Sequence, residues 1–222
     1  MSFDQIVNVF IEDIKKTGWI EFIAVFSGIA SVWYSRKENI LVYPTGLLNT
    51  TFYIYLSFKG GLFGEASVNF YYTVMSIYGW ILWSKKDAGH HIILKITKAN
   101  RKEWTQHLTF FASFYIVIFF ALTALKKSFS DSVIPWADAF ASATAFTGMW
   151  LMAKKKVESW YWWIATNIAS IPLYFVKHYV FTSVYYVILL IMAIFGLMAW
   201  LKKTNDKQTI TDEPGTHLGL SS

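Results

Sequence analysis

The sequence predicts an all-α membrane protein of seven transmembrane helices, built as two parallel three-helix repeats joined by a linker helix. Three observations lead there. Of the 222 residues 55% are hydrophobic and only 15% charged, where soluble domains carry about 25% charged residues. The apolar residues fall into seven spans, 19–34, 40–58, 63–83, 107–125, 135–153, 159–176 and 180–201; of the 34 charged residues only Glu21, Glu65 and Asp138 lie inside them. The chain also resembles itself at a constant offset of 117 residues.

Most spans meet the roughly 17–25 residues that a membrane helix needs. A globular core would break such runs with polar faces every few residues. The first span is short unless it begins near Ile14. Residues 1–18 place Phe3, Ile6, Val7, Phe10, Ile11 and Ile14 among acids and amides, as an amphipathic helix lying on the membrane would. They are too acidic for a cleavable signal peptide. Residues 84–106 read as a polar loop, 107–125 as the linker helix and 202–222 as a polar tail. Counting Lys and Arg by side gives 14 against 6, which puts the C-terminus in the cytoplasm and the N-terminus outside. The net charge of +6 is thus a topology signal, and no nucleic-acid partner is expected. Aromatic residues, 19% of the chain, suit two membrane–water interfaces and stacking surfaces. Absence of Cys excludes thiolate catalysis and thiolate metal sites.

Met75-Ser-Ile-Tyr-Gly79-Trp-Ile-Leu-Trp83 closes the third span and Met192-Ala-Ile-Phe-Gly196-Leu-Met-Ala-Trp200 the seventh. The same offset of 117 aligns Glu21 with Asp138, Trp33 with Trp150, and Lys37 with Lys154. The two repeats are therefore 19–83 and 135–201. A three-span unit ends on the side opposite its start, so one extra span is needed to keep the second copy parallel to the first. Parallel repeats of this kind bind substrate near the midplane, between the halves.

Polar side chains inside lipid need partners, so they mark helix contacts or a solvated path. Span 2 carries Asn49, Thr50, Thr51 and Tyr53; span 3 carries Glu65, Ser67 and Asn69; span 6 carries Thr166, Asn167 and Ser170. Each is weighed against a plain interhelical hydrogen bond, worth about 0.6 kcal/mol on average. Asn49 and Asn167, 118 residues apart, are expected to face each other across the pseudo-axis. Trp160, Trp163 and Asn167 fall at i, i+3 and i+7 on one helix face. Two indoles and an amide on one stripe suit a flat heteroaromatic or cationic ring. Pro172 lies inside the same span and is expected to kink it. Candidate substrate residues are thus Trp160, Trp163, Asn167, Asn69, Asn49 and Tyr53.

Glu21 and Asp138 are expected to sit at helix N-termini, where acids are favoured. His90 and His91 lie in the polar loop without an evident carboxylate partner. No H-E-x-x-H, Walker loop, G-x-S-x-G or Ser-His-Asp set occurs at membrane depth. No catalytic residue, metal or cofactor is expected. The short tail counts against a seven-helix receptor, which would need a cytoplasmic output module.

Over residues 18–203 the sequence resembles the PnuC family of bacterial vitamin transporters. The resemblance rests on Trp160-x-x-Trp163-x-x-x-Asn167, on Tyr43-Pro44-x-Gly46 after Lys37-Glu38-Asn39, on the run from Tyr71-Tyr72 to Gly79-Trp80, and on the three-plus-one-plus-three layout. It implies a multi-pass protein of the bacterial inner membrane that carries nicotinamide riboside by facilitated diffusion, with cytoplasmic phosphorylation trapping it. It also implies that Trp160, Trp163 and Asn167 bind substrate. The chain departs from the family at Val68-Asn69, where nicotinamide riboside members usually carry Leu-Gln. Thiamine or riboflavin uptake by the same fold is the alternative. A homo-oligomer is compatible with the sequence, which does not set the oligomeric state.

Overall fold

Each apolar span folds into one helix, which satisfies its backbone groups internally. This computed structural model describes residues 3–16, 18–59, 63–129 and 133–212. Eight helices follow one another: α1 (Phe3–Lys16), α2 (Trp19–Arg36), α3 (Val42–Lys59), α4 (Phe63–Ser84), α5 (Arg101–Phe129), α6 (Pro135–Ala153), α7 (Ser159–Val176) and α8 (Val180–Asp212). The β pairing among the described residues amounts to two isolated bridges, Lys86 with Ile92 and Thr97 with Lys156.

Helices α2, α3, α4, α6 and α7 begin and end within two residues of the expected spans. The other two overrun them. Helix α5 starts at Arg101 rather than 107, so the expected loop 84–106 is non-helical only as far as Asn100. The cause is a capping box: Glu103 N donates to Asn100 Oδ1 and Asn100 N donates to Glu103 Oε2, each at 2.9 Å. Helix α8 runs on to Asp212, so the expected polar tail from 202 is in part helical. From Lys202 to Glu213 the sequence has no Gly or Pro, and Lys and Gln extend a helix readily. Helix α7 is continuous through Pro172.

Helices pack in chain order within two groups, α2–α3–α4 and α6–α7–α8, with α5 against α6 and α1 against α8. The groups meet where α4 touches α6 and where α8 touches α2. Shifted by 117 residues, the first of these contacts becomes the second. Helix α6 is buried through Ala139, Ala141, Ala143, Thr144, Thr147 and Gly148, small residues that let backbones approach closely in a membrane. Large apolar side chains point outward instead, among them Val74, Val117, Phe120, Ile168 and Met198. Such a face is stable only against lipid or a partner. By length and mean hydropathy alone, Arg101–Ala124 and Val180–Asp206 qualify as membrane-crossing helices. The remaining spans carry the Asn, Thr, Ser, Trp and Tyr that the interior uses, which lowers their mean hydropathy.

Three helices end in the same way. Asn39 N donates to Tyr34 O, Lys156 N to Leu151 O and Tyr179 N to Tyr174 O, at 2.9–3.0 Å. These six-to-one bonds place Glu38, Lys155 and His178 in the left-handed region, at φ 60°, 51° and 64°. Glu38 and Lys155 are again 117 residues apart.

Candidate functional site

Helix α7 carries the stripe. Trp160 stands at its first turn, 1% exposed, with its ring edge-on to Trp200 at 5.5 Å. It packs over Gly196, where a Cβ would run into the indole. Trp163, one turn on, is partly exposed; it lies over Gly148 on α6 and 6.2 Å from Tyr72 on α4. Asn167, one further turn on, is 3% exposed. The stripe continues with Ser170 and Tyr174. Tyr186 of α8 stacks on Tyr174 at 5.2 Å, and its hydroxyl lies within hydrogen-bond reach of Tyr174 and Ser170.

Around this face stand further tyrosines. Tyr53 of α3 lies in electrostatic reach of Tyr185, Tyr186 and Glu65. Tyr185 and the Asn49 amide converge over Gly28, where a Cβ would lie 2.5 Å and 2.8 Å from them. Tyr71 stacks on Phe146 at 4.1 Å and donates to its carbonyl. Helices α3, α4, α7 and α8 thus bring indole, phenol and amide groups together between the two helix groups. Tyr72, Tyr174, Tyr185 and Tyr186 escape a reading by polarity, because a Tyr in an apolar run looks like core. Their signal is positional: Tyr174 falls seven residues beyond Asn167, on the same face.

The other candidates divide. Asn49 donates to Ala24 O on α2 at 2.7 Å, so it turns toward its own group rather than toward Asn167. The residue related to Asn167 by the offset is Thr50, whose hydroxyl accepts from Thr73 on α4 at 2.9 Å. Asn69 donates to Glu65 O one turn back at 2.9 Å, which leaves its carbonyl oxygen to other partners. Asp138 caps α6, accepting from Ile134 N at 2.7 Å and pairing with Lys177 at 2.6 Å. Glu21 lies in the first turn of α2, as expected of an acid there. His91 does have a carboxylate neighbour: its Nδ1 lies 3.4 Å from Asp87 Oδ1, and that oxygen also accepts from Gly89 N and His91 N. No cluster of His, Asp or Glu suited to a metal occurs among the described residues.

At the end of the bundle where the α2–α3 and α6–α7 turns meet, here the basic end, an aromatic plug closes the interior. It holds Tyr43, Trp83, Trp160 and Trp200 together with Val42, Ile96, Met152, Val157 and Ala193. Trp83 Nε1 donates to Ala153 O at 3.1 Å and Trp200 Nε1 to Ser35 O at 3.2 Å, each bond crossing from one helix group to the other. Over the plug, Glu38 pairs with Lys155 at 2.7 Å and with Lys203 at 3.1 Å. Burial raises the pKa of the Glu38 carboxyl, but the bonds from Lys155 and Lys203 outweigh it and hold the group below its ordinary 4.5. Glu103, paired with Lys156 at 2.6 Å, is held low in the same way against a smaller burial effect.

A family model described as nicotinamide mononucleotide transporter matches residues 18–202. The chain belongs to that family. Its relatives include the nicotinamide riboside transporter PnuC of Escherichia coli, 22% identical over 232 residues, 93% of this chain and 97% of the relative. The nicotinamide riboside transporter PnuC of Neisseria mucosa is 25% identical, over 91% of this chain and 78% of the relative. The riboflavin/roseoflavin transporter RibM of Streptomyces davaonensis is 21% identical, over 87% of this chain and 90% of the relative. A crystal structure of the vitamin B3 transporter PnuC matches with a TM-score of 0.70 at 21% identity, covering 90% of each chain. That likeness concerns the fold. The chain is thus a membrane protein of a transporter family rather than an enzyme, and the expected resemblance to the PnuC family holds.

Proposed function

We propose that this transporter carries nicotinamide riboside down its gradient across the bacterial inner membrane, with phosphorylation in the cytoplasm trapping the product. In this reading the seven helices α2–α8 span the bilayer as three plus one plus three, with the N-terminus outside. The observation that carries it is the inward face of α7. Trp163 offers a π surface beside Tyr72, and Asn167, 3% exposed on the same face, offers an amide. A cationic pyridinium is attracted to such surfaces, and a ribose would use the amide and the hydroxyls of Ser170, Tyr174 and Tyr186. Trp160 is the floor of the site, with Asn69, Tyr53 and Asn49 at its walls.

Riboflavin is the second reading. A riboflavin transporter of similar identity lies among the relatives, and the isoalloxazine ring would use the same stacking surfaces. Liposomes holding the purified protein decide between them. Labelled nicotinamide riboside should equilibrate without ATP or an ion gradient, and riboflavin should not compete. Accumulation above the outside concentration, driven by protons or sodium, would sink the uniporter claim. Preferred uptake of riboflavin would replace the substrate.

A further inference from the structure

We propose that the plug at the basic end is a gate across the transport path, and that the Glu38–Lys155–Lys203 cluster is its latch. This rests on the path read above between the two helix groups. Glu38 lies in the turn after α2, in the first group. Lys155 follows α6 and Lys203 lies in α8, both in the second group. The cluster therefore fastens the halves to each other at one end. The Lys155 side chain is 2% exposed and Glu38 25%, so the pair is shielded from water on one side only. Lys155 Nζ also lies 4.5 Å from the Trp83 ring centre, which ties the ion pair to the plug beneath it.

Three further features fit a latch better than a permanent strut. Glu38 and Lys155 both occupy left-handed backbone, where a residue with a Cβ is disfavoured and Gly is the usual choice. Strained backbone of this kind tends to collect at switches. Next, Tyr43 OH and Trp160 Nε1 are buried in the plug without a hydrogen-bond partner, at positions 117 residues apart. A closed state that leaves two equivalent donors unsatisfied gains by wetting them when the halves part. Finally, Tyr43 and Trp160 each close over a glycine, Gly79 and Gly196, also 117 apart, so the contact is smooth enough to separate. The far end has a counterpart in Asp138–Lys177, but that pair joins α6 to the end of α7 inside one group and cannot hold the halves together.

The chain has no cysteine, so single reporters can be introduced without background. Ala193, 1% exposed within the plug, is the reporter: Ala193→Cys, labelled by a membrane-impermeant maleimide in vesicles of both orientations. The parent should label slowly from the side bearing residues 85–100. Adding Glu38→Gln should speed labelling from that side by roughly tenfold, equivalent to about 1.4 kcal/mol of shifted equilibrium. Lys203→Met, which removes only the more exposed arm, should give a smaller acceleration. The triple reversal Glu38→Lys, Lys155→Glu, Lys203→Glu rebuilds both ion pairs, though not the contact of Lys155 with the Trp83 ring, and should restore most of the slow rate. An unchanged rate in Glu38→Gln, or a fast rate in the triple reversal, overturns the latch. Labelling needs no vitamin, so its result stands apart from that of the uptake experiment.

Discussion

Asn167→Leu removes the amide that the α7 stripe presents to the interior. Asn167 is 3% exposed and Leu is close to it in volume, so the substitution should leave the amount and thermal stability of folded protein close to the parent's. For a bound vitamin the consequence is different. A ligand hydroxyl or amide that had paired with Asn167 would be buried facing Leu, and an unpaired buried polar group costs about 1–3 kcal/mol. At 1.4 kcal/mol per tenfold, affinity should fall by roughly ten- to a hundredfold. The neighbouring position supplies the control. Thr166 donates to Thr144 on α6 at 3.0 Å and is 4% exposed, so its hydroxyl serves packing between α6 and α7. Thr166→Val should lower stability by about 1 kcal/mol and leave affinity within a factor of about two. Calorimetric titration with nicotinamide riboside, paired with thermal unfolding in the same detergent, reads both quantities. Parent-like binding by Asn167→Leu would show that the face of α7 is packing, and the site assignment would be wrong.

Four further outcomes are expected. Gly196→Ala drives a methyl group into the Trp160 ring and should cost about 1–3 kcal/mol, seen as a lower thermal midpoint with the ligand still bound at saturating concentration. Asn69→Gln restores the reach of the usual family amide and should raise the ratio of nicotinamide riboside to thiamine affinity; an unchanged ratio removes Asn69 from the specificity set. For Glu38 and Glu103 the carboxyls are held below their ordinary 4.5 in the fold. Their stabilisation is therefore complete above that value and is lost as pH falls below it, so acid titration of the unfolding midpoint should drop more steeply for the parent than for Glu38→Gln. A reporter fused after Lys203 should be active only as a cytoplasmic enzyme and one at Met1 only as an external one; both active on one side would refute an odd number of crossings.

The helix ends were legible wherever a long apolar run stops. Pro135 and Ala153 bound α6, and Ser159 and Val176 bound α7, at the residues where apolar sequence stops. Outside the apolar runs the rule changes. Helix α5 begins where Asn100 and Glu103 cap each other, and a polar stretch gives no hydropathy signal of that. The stripe on α7 could be read from spacing, because Trp and Asn at membrane depth are uncommon together. The phenols could not: Tyr72 and Tyr186 acquire a meaning only when α4, α7 and α8 converge. Spacing also could not separate Trp160 from Trp163. They share a face, but Trp160 meets Trp200 and is sealed, whereas Trp163 sits higher and remains partly open.

The ion pair between positions 38 and 155 bears on how such a molecule can arise. When two identical subunits pack about a two-fold axis, a residue on that axis meets its own copy. A Glu there would face a Glu and a Lys would face a Lys, and either choice repels. Residues 38 and 155 are equivalent under the 117-residue offset, yet one is acidic and the other basic, 2.7 Å apart. A self-associating ancestor of half this length could not have held that bond. Joining the halves through α5 frees the two copies of one codon to diverge, and the axis, the one place where symmetry forbids opposite charges, becomes the place where they attract.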